Sequence, residues 1–195
     1  MAERHFCPSC GEQVETYAVP RENRTDSCCV FCGLVVVQAE EAPLAGRAER
    51  VLLADDSEAI RTLLTRLLLD RRLAVSVKTA GDGAAFLETA TRWLREGTPA
   101  SLVILDVQMP GLEGFSAAAA LRAVERAFDI GLPAPILFVT ARKIDPTIQT
   151  FLTALAPAQY LNKGVASAPE ELASRVETLV AHLLRQGPPR PPAGG

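Results

Sequence analysis

Cysteine is absent after Cys32, and aromatic residues make up only 5% of the 195 residues. A secreted disulfide scaffold would carry cysteines throughout, so that class is excluded. No apolar run approaches the roughly 18 residues a membrane-spanning helix needs, so no span is expected. The opening MAERHFCPSC lacks the apolar core of an export signal, which predicts a cytoplasmic location. Positive charge is not in excess: 20 Lys and Arg stand against 23 Asp and Glu, for a net charge of −3. That argues against phosphate-backbone binding as the main activity. What is present, 48% hydrophobic and 22% charged residues, excludes wholesale disorder. The length suits one ordinary domain and a small one.

All five cysteines lie between Cys7 and Cys32. They fall as Cys7-x2-Cys10, an 18-residue gap, and Cys29-x2-Cys32, the spacing of a four-thiolate zinc site. Soft thiolates in a tetrahedron suit Zn2+. Gly11 and Gly33 follow the second cysteine of each pair and let the backbone curl around the sulfurs. The segment resembles a zinc ribbon, with strands expected around Val14 and over Leu34–Val37. Cys28 is a fifth thiol that could exchange roles with Cys29; the gap and Gly33 favour Cys29. A redox dithiol or a disulfide is the simpler alternative for such pairs. His5 and His182 are expected on the surface. Among residues 1–37, Arg4, Arg21 and Arg24 face Glu3, Glu12, Glu15, Glu22 and Asp26. Three against five is no phosphate-binding face, so nucleic acid is not the expected partner; protein binding or a purely structural role is.

Four segments are read along the chain: 1–37 zinc ribbon, 38–49 linker, 50–186 main domain, and 187–195 flexible Pro/Gly tail. The linker is expected to isolate the ribbon, so that metal loss unfolds the ribbon alone. From Arg50 on, apolar runs alternate with helical patterns. Strands are predicted at Val51–Ala54, Leu73–Thr79, Leu102–Leu105, Ile136–Val139 and Gln159–Leu161. Helices are predicted after Ser57, after Asp82, over Glu113–Phe128, Pro146–Leu155 and Glu170–Leu184, with Ser57 and Asp82 as caps. Five strands alternating with five helices predict an α/β fold, a doubly wound five-stranded parallel sheet. Such sheets place chemistry at the carboxyl ends of their strands. Those ends hold Asp55, Asp56, Asp106, Thr140 and Lys163.

Close carboxylates repel by about 4 kcal/mol per pair at 4 Å with an effective dielectric near 20. A hard cation such as Mg2+ offsets that, and a carboxylate beside it can accept a phosphoryl group. Taken singly, each residue has a plainer reading: helix-capping acids, a turn acid, a solvated lysine, a strand-end hydroxyl. Together they sit on one edge. The set Asp55-Asp56, Asp106 in Leu105-Asp106-Val107-Gln108-Met109-Pro110-Gly111, Thr140-Ala141 and Tyr160-Leu161-Asn162-Lys163 resembles the receiver domain of two-component response regulators, over about residues 50–186. The resemblance implies a flavodoxin-like fold and a phosphoacceptor, Asp106. It implies Mg2+ held by Asp55, Asp56, Asp106 and the backbone oxygen of Gln108, with Thr140 and Lys163 on the phosphoryl group. Tyr160 matches the aromatic that rotates inward as Thr140 moves. The family commonly has Pro after this Lys; Gly164 stands here, and a trans bond is expected.

The resulting expectation is a phosphorelay response regulator that receives phosphate from a histidine kinase or phosphotransfer protein and acts by protein contact. It would be no enzyme beyond its own phosphorylation and autodephosphorylation. Rival readings are a phosphorylation-independent scaffold and a nucleic-acid-binding regulator; a haloacid-type phosphatase would need Asp-x-Asp where Asp106-Val107-Gln108 stands. Between Asp145 and Lys163 no charged residue occurs. Interface centres are depleted of charge, so the fourth helix, fifth strand and fifth helix are expected to form the output face, with the ribbon as the alternative. Ile144, Ile148, Phe151 or Leu152, and Leu155 would form the buried stripe of that helix, leaving Thr147, Thr150, Thr153 and Ala154 outward.

Overall fold

The computed structural model describes residues 4–20, 25–37, 47–165 and 169–185. Most of the 38–49 linker and all of the 187–195 tail lie outside the described residues. The N-terminal part forms β1 (Arg4–Cys7), β2 (Glu12–Pro20), β3 (Thr25–Cys29) and β4 (Val35–Val37), an antiparallel sheet in that order. The rest alternates: β5 (Ala48–Ala54), α1 (Glu58–Asp70), β6 (Ala74–Ala80), α2 (Gly83–Arg95), β7 (Leu102–Asp106), α3 (Gly114–Ala127), β8 (Ile136–Thr140), α4 (Pro146–Ala154), β9 (Ala158–Asn162) and α5 (Pro169–Arg185). Strand β5 begins at Ala48, inside the segment read as linker, because Ala48 is buried and pairs with Ala74.

The second sheet is parallel, in the order β6-β5-β7-β8-β9. The five-stranded flavodoxin-like receiver fold expected from the sequence is therefore the one observed. Every residue of β7 and β8 is buried, as central strands covered on both faces require. Side chains alternate between two cores. Leu52, Ala54, Val103, Leu105 and Phe138 pack with α2, α3 and α4. Val51, Leu53, Ile104, Leu137 and Val139 pack with α1 and α5. Ser57, Asp82 and Asp145 cap α1, α2 and α4, each side chain accepting from the amide three residues on, which satisfies a donor left free at a helix start.

The linker does not isolate the N-terminal sheet, contrary to expectation. Cys7, Cys10, Val14, Cys29 and Leu34 join the same buried cluster as Val176, Leu179 and Leu183 of α5. A sheet of this size has too little apolar surface to bury alone, so it shares the core of its neighbour. His182 is half-buried beside Pro8, Leu34 and Val36 rather than on open surface. Of the two candidates for the buried stripe of α4, Leu152 packs against the core and Phe151 does not. It is 36% exposed, yet its ring stacks on Phe115 with centroids 4.6 Å apart.

Candidate functional site

Strand β5 ends where Asp55 and Asp56 begin the turn into α1. The Asp55 carboxylate is held by the turn itself: its Oδ1 accepts from the Ser57 amide at 2.9 Å. Arg61, one turn into α1, donates to the backbone oxygens of Asp55 at 2.7 Å and Asp56 at 3.0 Å. Asp106 ends β7, the adjacent strand, and its Oδ1 accepts from the Gln108 amide at 3.2 Å. Asp55 and Asp106 are buried and Asp56 is exposed. The three present carboxylate oxygens within 4.8 Å of one another. This is a set of hard oxygen donors that a divalent cation fits, with the exposed Asp56 as its open side.

Lys163 closes the cluster from the turn after β9. Its ammonium is 2.8 Å from Asp106 Oδ2 and 3.0 Å from Asp55 Oδ2. Burial raises the Asp106 carboxyl above its ordinary range, against the opposing pull of Lys163. Burial disfavours the Lys163 ammonium, but its bonds to Asp106 and Asp55 prevail and hold its pKa above the usual value. Thr140 ends β8, fully buried, and its hydroxyl accepts from the Arg142 amide at 3.2 Å. The sheet thus brings Asp55, Asp56, Asp106, Thr140 and Lys163 to one edge, as the strand-end reading expected.

Gly114 sets how closely α3 approaches this edge. A Cβ there would stand 2.1 Å from the carbonyl oxygen of Asp106 and 2.9 Å from Val107 Cα, so only glycine fits. Among the described residues the cis peptide is Ala156–Pro157; Lys163–Gly164 is trans, as expected. Tyr160 points inward, 1% exposed, and its hydroxyl donates to the Arg142 carbonyl. Burial raises that hydroxyl's pKa, which keeps it a donor.

Cys7, Cys10, Cys29 and Cys32 form a second cluster, their sulfurs within 4.8 Å of one another. Cys7 Sγ lies 3.5 Å from Cys32 Sγ, and Cys10 Sγ 3.8 Å from Cys29 Sγ. Sulfurs about 2.3 Å from a tetrahedral centre sit about 3.8 Å apart, so these separations are compatible with a four-thiolate metal site, and none of the four is disulfide-bonded. The turns are built as the glycines implied. Gly11 and Gly33 have φ of 78° and 71°, and their amides donate to the carbonyls of Cys7 and Cys29 at 2.8 and 2.9 Å. The Cys10 and Phe31 amides face the sulfurs of Cys7 and Cys29 at 3.5 and 3.4 Å. Bonding to Cys29 holds the Cys10 thiol far above its usual range, and bonding to Cys10 draws Cys29 far below. Cys28 is buried on β3 opposite Tyr17 and Val35, outside the cluster.

Four further residues escaped the sequence reading. Arg175 donates from Nε to the Pro8 carbonyl at 2.8 Å and from Nη2 to the Ser9 carbonyl at 3.1 Å. The Asn162 amide donates to the Ser9 carbonyl at 2.9 Å, and the Ser9 hydroxyl donates to the Tyr160 carbonyl. Gln149 Nε2 of α4 donates to the Phe31 carbonyl. A signal for Arg175 existed: it sits on the apolar stripe of α5, three residues after Leu172 and four before Leu179. The uncharged stretch between Asp145 and Lys163 thus has a partial explanation, since Gln149, Leu152 and Thr153 line a cleft with Tyr17, Phe31 and Gly33 of the N-terminal sheet.

Residues 51–177 match the sequence profile of the response regulator receiver domain. The sensor histidine kinase GacS of Pseudomonas protegens is 33% identical over 151 residues, covering 77% of this chain and 15% of the kinase. The chain spans about half or less of the length of the curated relatives it matches. The solved chemotaxis protein CheY4 of Vibrio cholerae is 28% identical with a TM-score of 0.51, covering 67% of this chain and 97% of that one. The receiver domain of the histidine kinase CKI1 from Arabidopsis thaliana, solved with Mg2+ and BeF3−, has a TM-score of 0.56 at 21% identity. That alignment covers 71% of this chain and 88% of the other.

Proposed function

The chain belongs to the response regulator receiver family, and from that premise we propose that it accepts a phosphoryl group on Asp106 and signals through phosphorylation-dependent protein contact. The observation that carries this reading is the Lys163 ammonium, 2.8 Å from Asp106 and 3.0 Å from Asp55, beside a three-carboxylate cluster. A lysine so placed neutralises charge on an acceptor aspartate as it gains a phosphoryl group. The donor is the phosphohistidine of a histidine kinase or phosphotransfer protein. An Asp106 carboxylate oxygen attacks phosphorus; the P–N bond breaks, a P–O bond forms, and the imidazole leaves with the electron pair and takes up a proton. The Thr140 hydroxyl bonds one phosphoryl oxygen and the Lys163 ammonium another. Asp55, Asp56, Asp106 and the Gln108 carbonyl would hold Mg2+, which would supply further charge neutralisation. Water later hydrolyses the acyl phosphate, so catalysis is confined to the chain's own Asp106.

Residues 1–37 are a zinc ribbon in this reading, with Zn2+ held by Cys7, Cys10, Cys29 and Cys32. The linker joins it to the receiver, which begins with β5 at Ala48. Reduced thiols suit the cytoplasm, where the donor proteins act. The 17 described residues of α5 are the longest helix, and no helix among the described residues is long and apolar enough to cross a membrane.

Intact mass after incubation with Mg2+ and a small phosphodonor tests the acceptor. One added phosphoryl group is expected, lost in Asp106→Ala and without Mg2+. Equal labelling of Asp106→Ala refutes the assignment, and no labelling at all favours the scaffold reading. Metal analysis tests the ribbon. One Zn2+ per chain is expected, kept in Cys28→Ser and lost in Cys29→Ser; the reverse pattern makes Cys28 the ligand.

A further inference from the structure

Arg175 has no role in phosphoryl transfer, yet it is placed at a cost. It is 2% exposed on the buried stripe of α5, where an isolated charge loses its hydration. Its Nε and Nη2 reach the Pro8 and Ser9 carbonyls at 2.8 and 3.1 Å. Its Nη1 is buried with no hydrogen-bond partner among the described residues. Both carbonyls lie within the turn between Cys7 and Cys10. Glu171, one turn earlier on α5, supplies part of its counter-charge, and four thiolates around Zn2+, with a net charge of −2, would add to it from the turn. A planar, weakly hydrated cation suits such a position better than an ammonium.

A second, independent observation lies on β9. It is an edge strand of the parallel sheet, and an edge leaves backbone donors and acceptors open to pairing. The Cys7–Cys10 turn takes them: the Asn162 amide donates to the Ser9 carbonyl at 2.9 Å and the Ser9 hydroxyl donates to the Tyr160 carbonyl. Asn162 adjoins Lys163, whose ammonium is 2.8 Å from Asp106. Across the face, Gln149 of α4 donates to the Phe31 carbonyl in the Cys29–Cys32 turn. The cysteine-bearing sheet therefore grips α4, β9 and α5 together, and its grip on β9 ends one residue from the acceptor's lysine.

We propose that the ribbon is the receiver's own bound partner: it occupies the α4–β9–α5 face, and its zinc turn is coupled through Asn162 and Lys163 to the phosphoryl state of Asp106. This rests on the reading of the two sites given above. The sign follows from what is assembled. With the turn seated, Lys163 already spans Asp106 and Asp55, and Tyr160 is buried. A ligand that binds the assembled site favours the seated ribbon, and by reciprocity the seated ribbon favours that ligand. Protein partners then meet a composite surface of ribbon and α4, not the bare sheet edge.

The test is zinc release from the full chain to a chromogenic zinc chelator, in excess Mg2+, with and without beryllofluoride as phosphoryl analogue. Beryllofluoride is expected to slow release by about fivefold or more, the low end of ordinary coupling energies. Arg175→Gln and, separately, Gln149→Ala should release zinc faster and lose part or all of the analogue's effect while still labelling at Asp106. Asp106→Ala should release zinc at one rate in either condition. Equal or faster release by the wild-type chain with analogue bound overturns the coupling alone, provided metal analysis and mass show both sites working. A chain that binds no zinc, or takes no phosphoryl group, overturns the reading of that site and the coupling with it.

Discussion

Replacing Asp106 by asparagine should stabilise the chain when no Mg2+ is added. Asp55 and Asp106 are both buried, with oxygens within 4.8 Å of each other. At an effective dielectric of about 20, that pair repels by about 3.5 kcal/mol. The Lys163 ammonium at 2.8 Å returns about 6 kcal/mol on the same scale. Against it stands the loss of carboxylate hydration, several kcal/mol for a buried ion. Repulsion and lost hydration together outweigh the attraction by about 1–2 kcal/mol. The direction agrees with the Asp106 carboxyl, whose pKa is raised, burial being the main cause. A carboxyl with a raised folded pKa favours the folded state while protonated, below the ordinary carboxylate pKa. That contribution is lost as pH rises through the folded value. Asparagine keeps the neutral shape at every pH and retains the hydrogen bond from Lys163.

At pH 7 without Mg2+, Asp106→Asn should therefore melt about 3–6 °C above wild type for a chain of this size. The gap should close as pH falls toward 4. Added Mg2+ at about ten times its Kd should raise the wild type by about 1.4 kcal/mol through mass action and the variant by much less. Thermal and urea unfolding followed by circular dichroism measure all three, with EDTA avoided because it would strip the proposed zinc site. A wild type as stable as the variant without Mg2+ would mean that Lys163 already compensates both carboxylates, leaving no repulsion for a cation to offset, and would refute the reasoning.

Two further outcomes are expected. Gly114→Ala places a Cβ 2.1 Å from the Asp106 carbonyl oxygen; it should cost about 1–3 kcal/mol or more by overpacking and slow labelling of Asp106, read from the urea midpoint and intact mass, and an unchanged midpoint refutes the close approach. Mg2+ affinity by calorimetry should weaken as pH falls, beginning above the ordinary carboxylate range because the Asp106 carboxyl is raised, and in Asp106→Asn the weakening should begin at lower pH.

Most of the parallel sheet was legible because β5, β7 and β8 are short apolar runs that meet a polar residue at their carboxyl ends, and α1, α2 and α4 open with their own caps. Leu102–Leu105 followed by Asp106, and Ile136–Val139 followed by Thr140, place strand ends with little ambiguity, since a strand buried on both faces has no other pattern. The same regularity made the site legible: strand ends in a parallel sheet share one edge, so five residues far apart in sequence are brought together by topology alone. The four sulfurs were legible from spacing alone. What escaped is what joins the two units. Ser9 and Asn162 meet through backbone atoms, which no side-chain pattern encodes, and Gln149 reaches a carbonyl that any residue at position 31 would offer.

Arg175 is the instructive exception, because its signal is local. Leu172, Val176, Leu179, Val180 and Leu183 are all buried, and an arginine between them at helical spacing breaks the stripe. A charge kept in a core stripe needs negative charge nearby, and Arg175 has it from Glu171 on its own helix and from Cys7 and Cys10 of the N-terminal sheet. Apart from the carboxylates, the densest source of negative charge in the chain is the cysteine set. The stripe and the thiolates, taken together, point to a ribbon seated on α5. The same pairing recasts the uncharged stretch from Asp145 to Lys163. Within that stretch Gln149, Leu152 and Thr153 line a cleft shared with the N-terminal sheet, while Thr147, Thr150 and Ala154 remain exposed. On the proposed reading, an external partner would meet what the N-terminal sheet leaves open, and a signal leaving Asp106 toward α4 and β9 meets that sheet first.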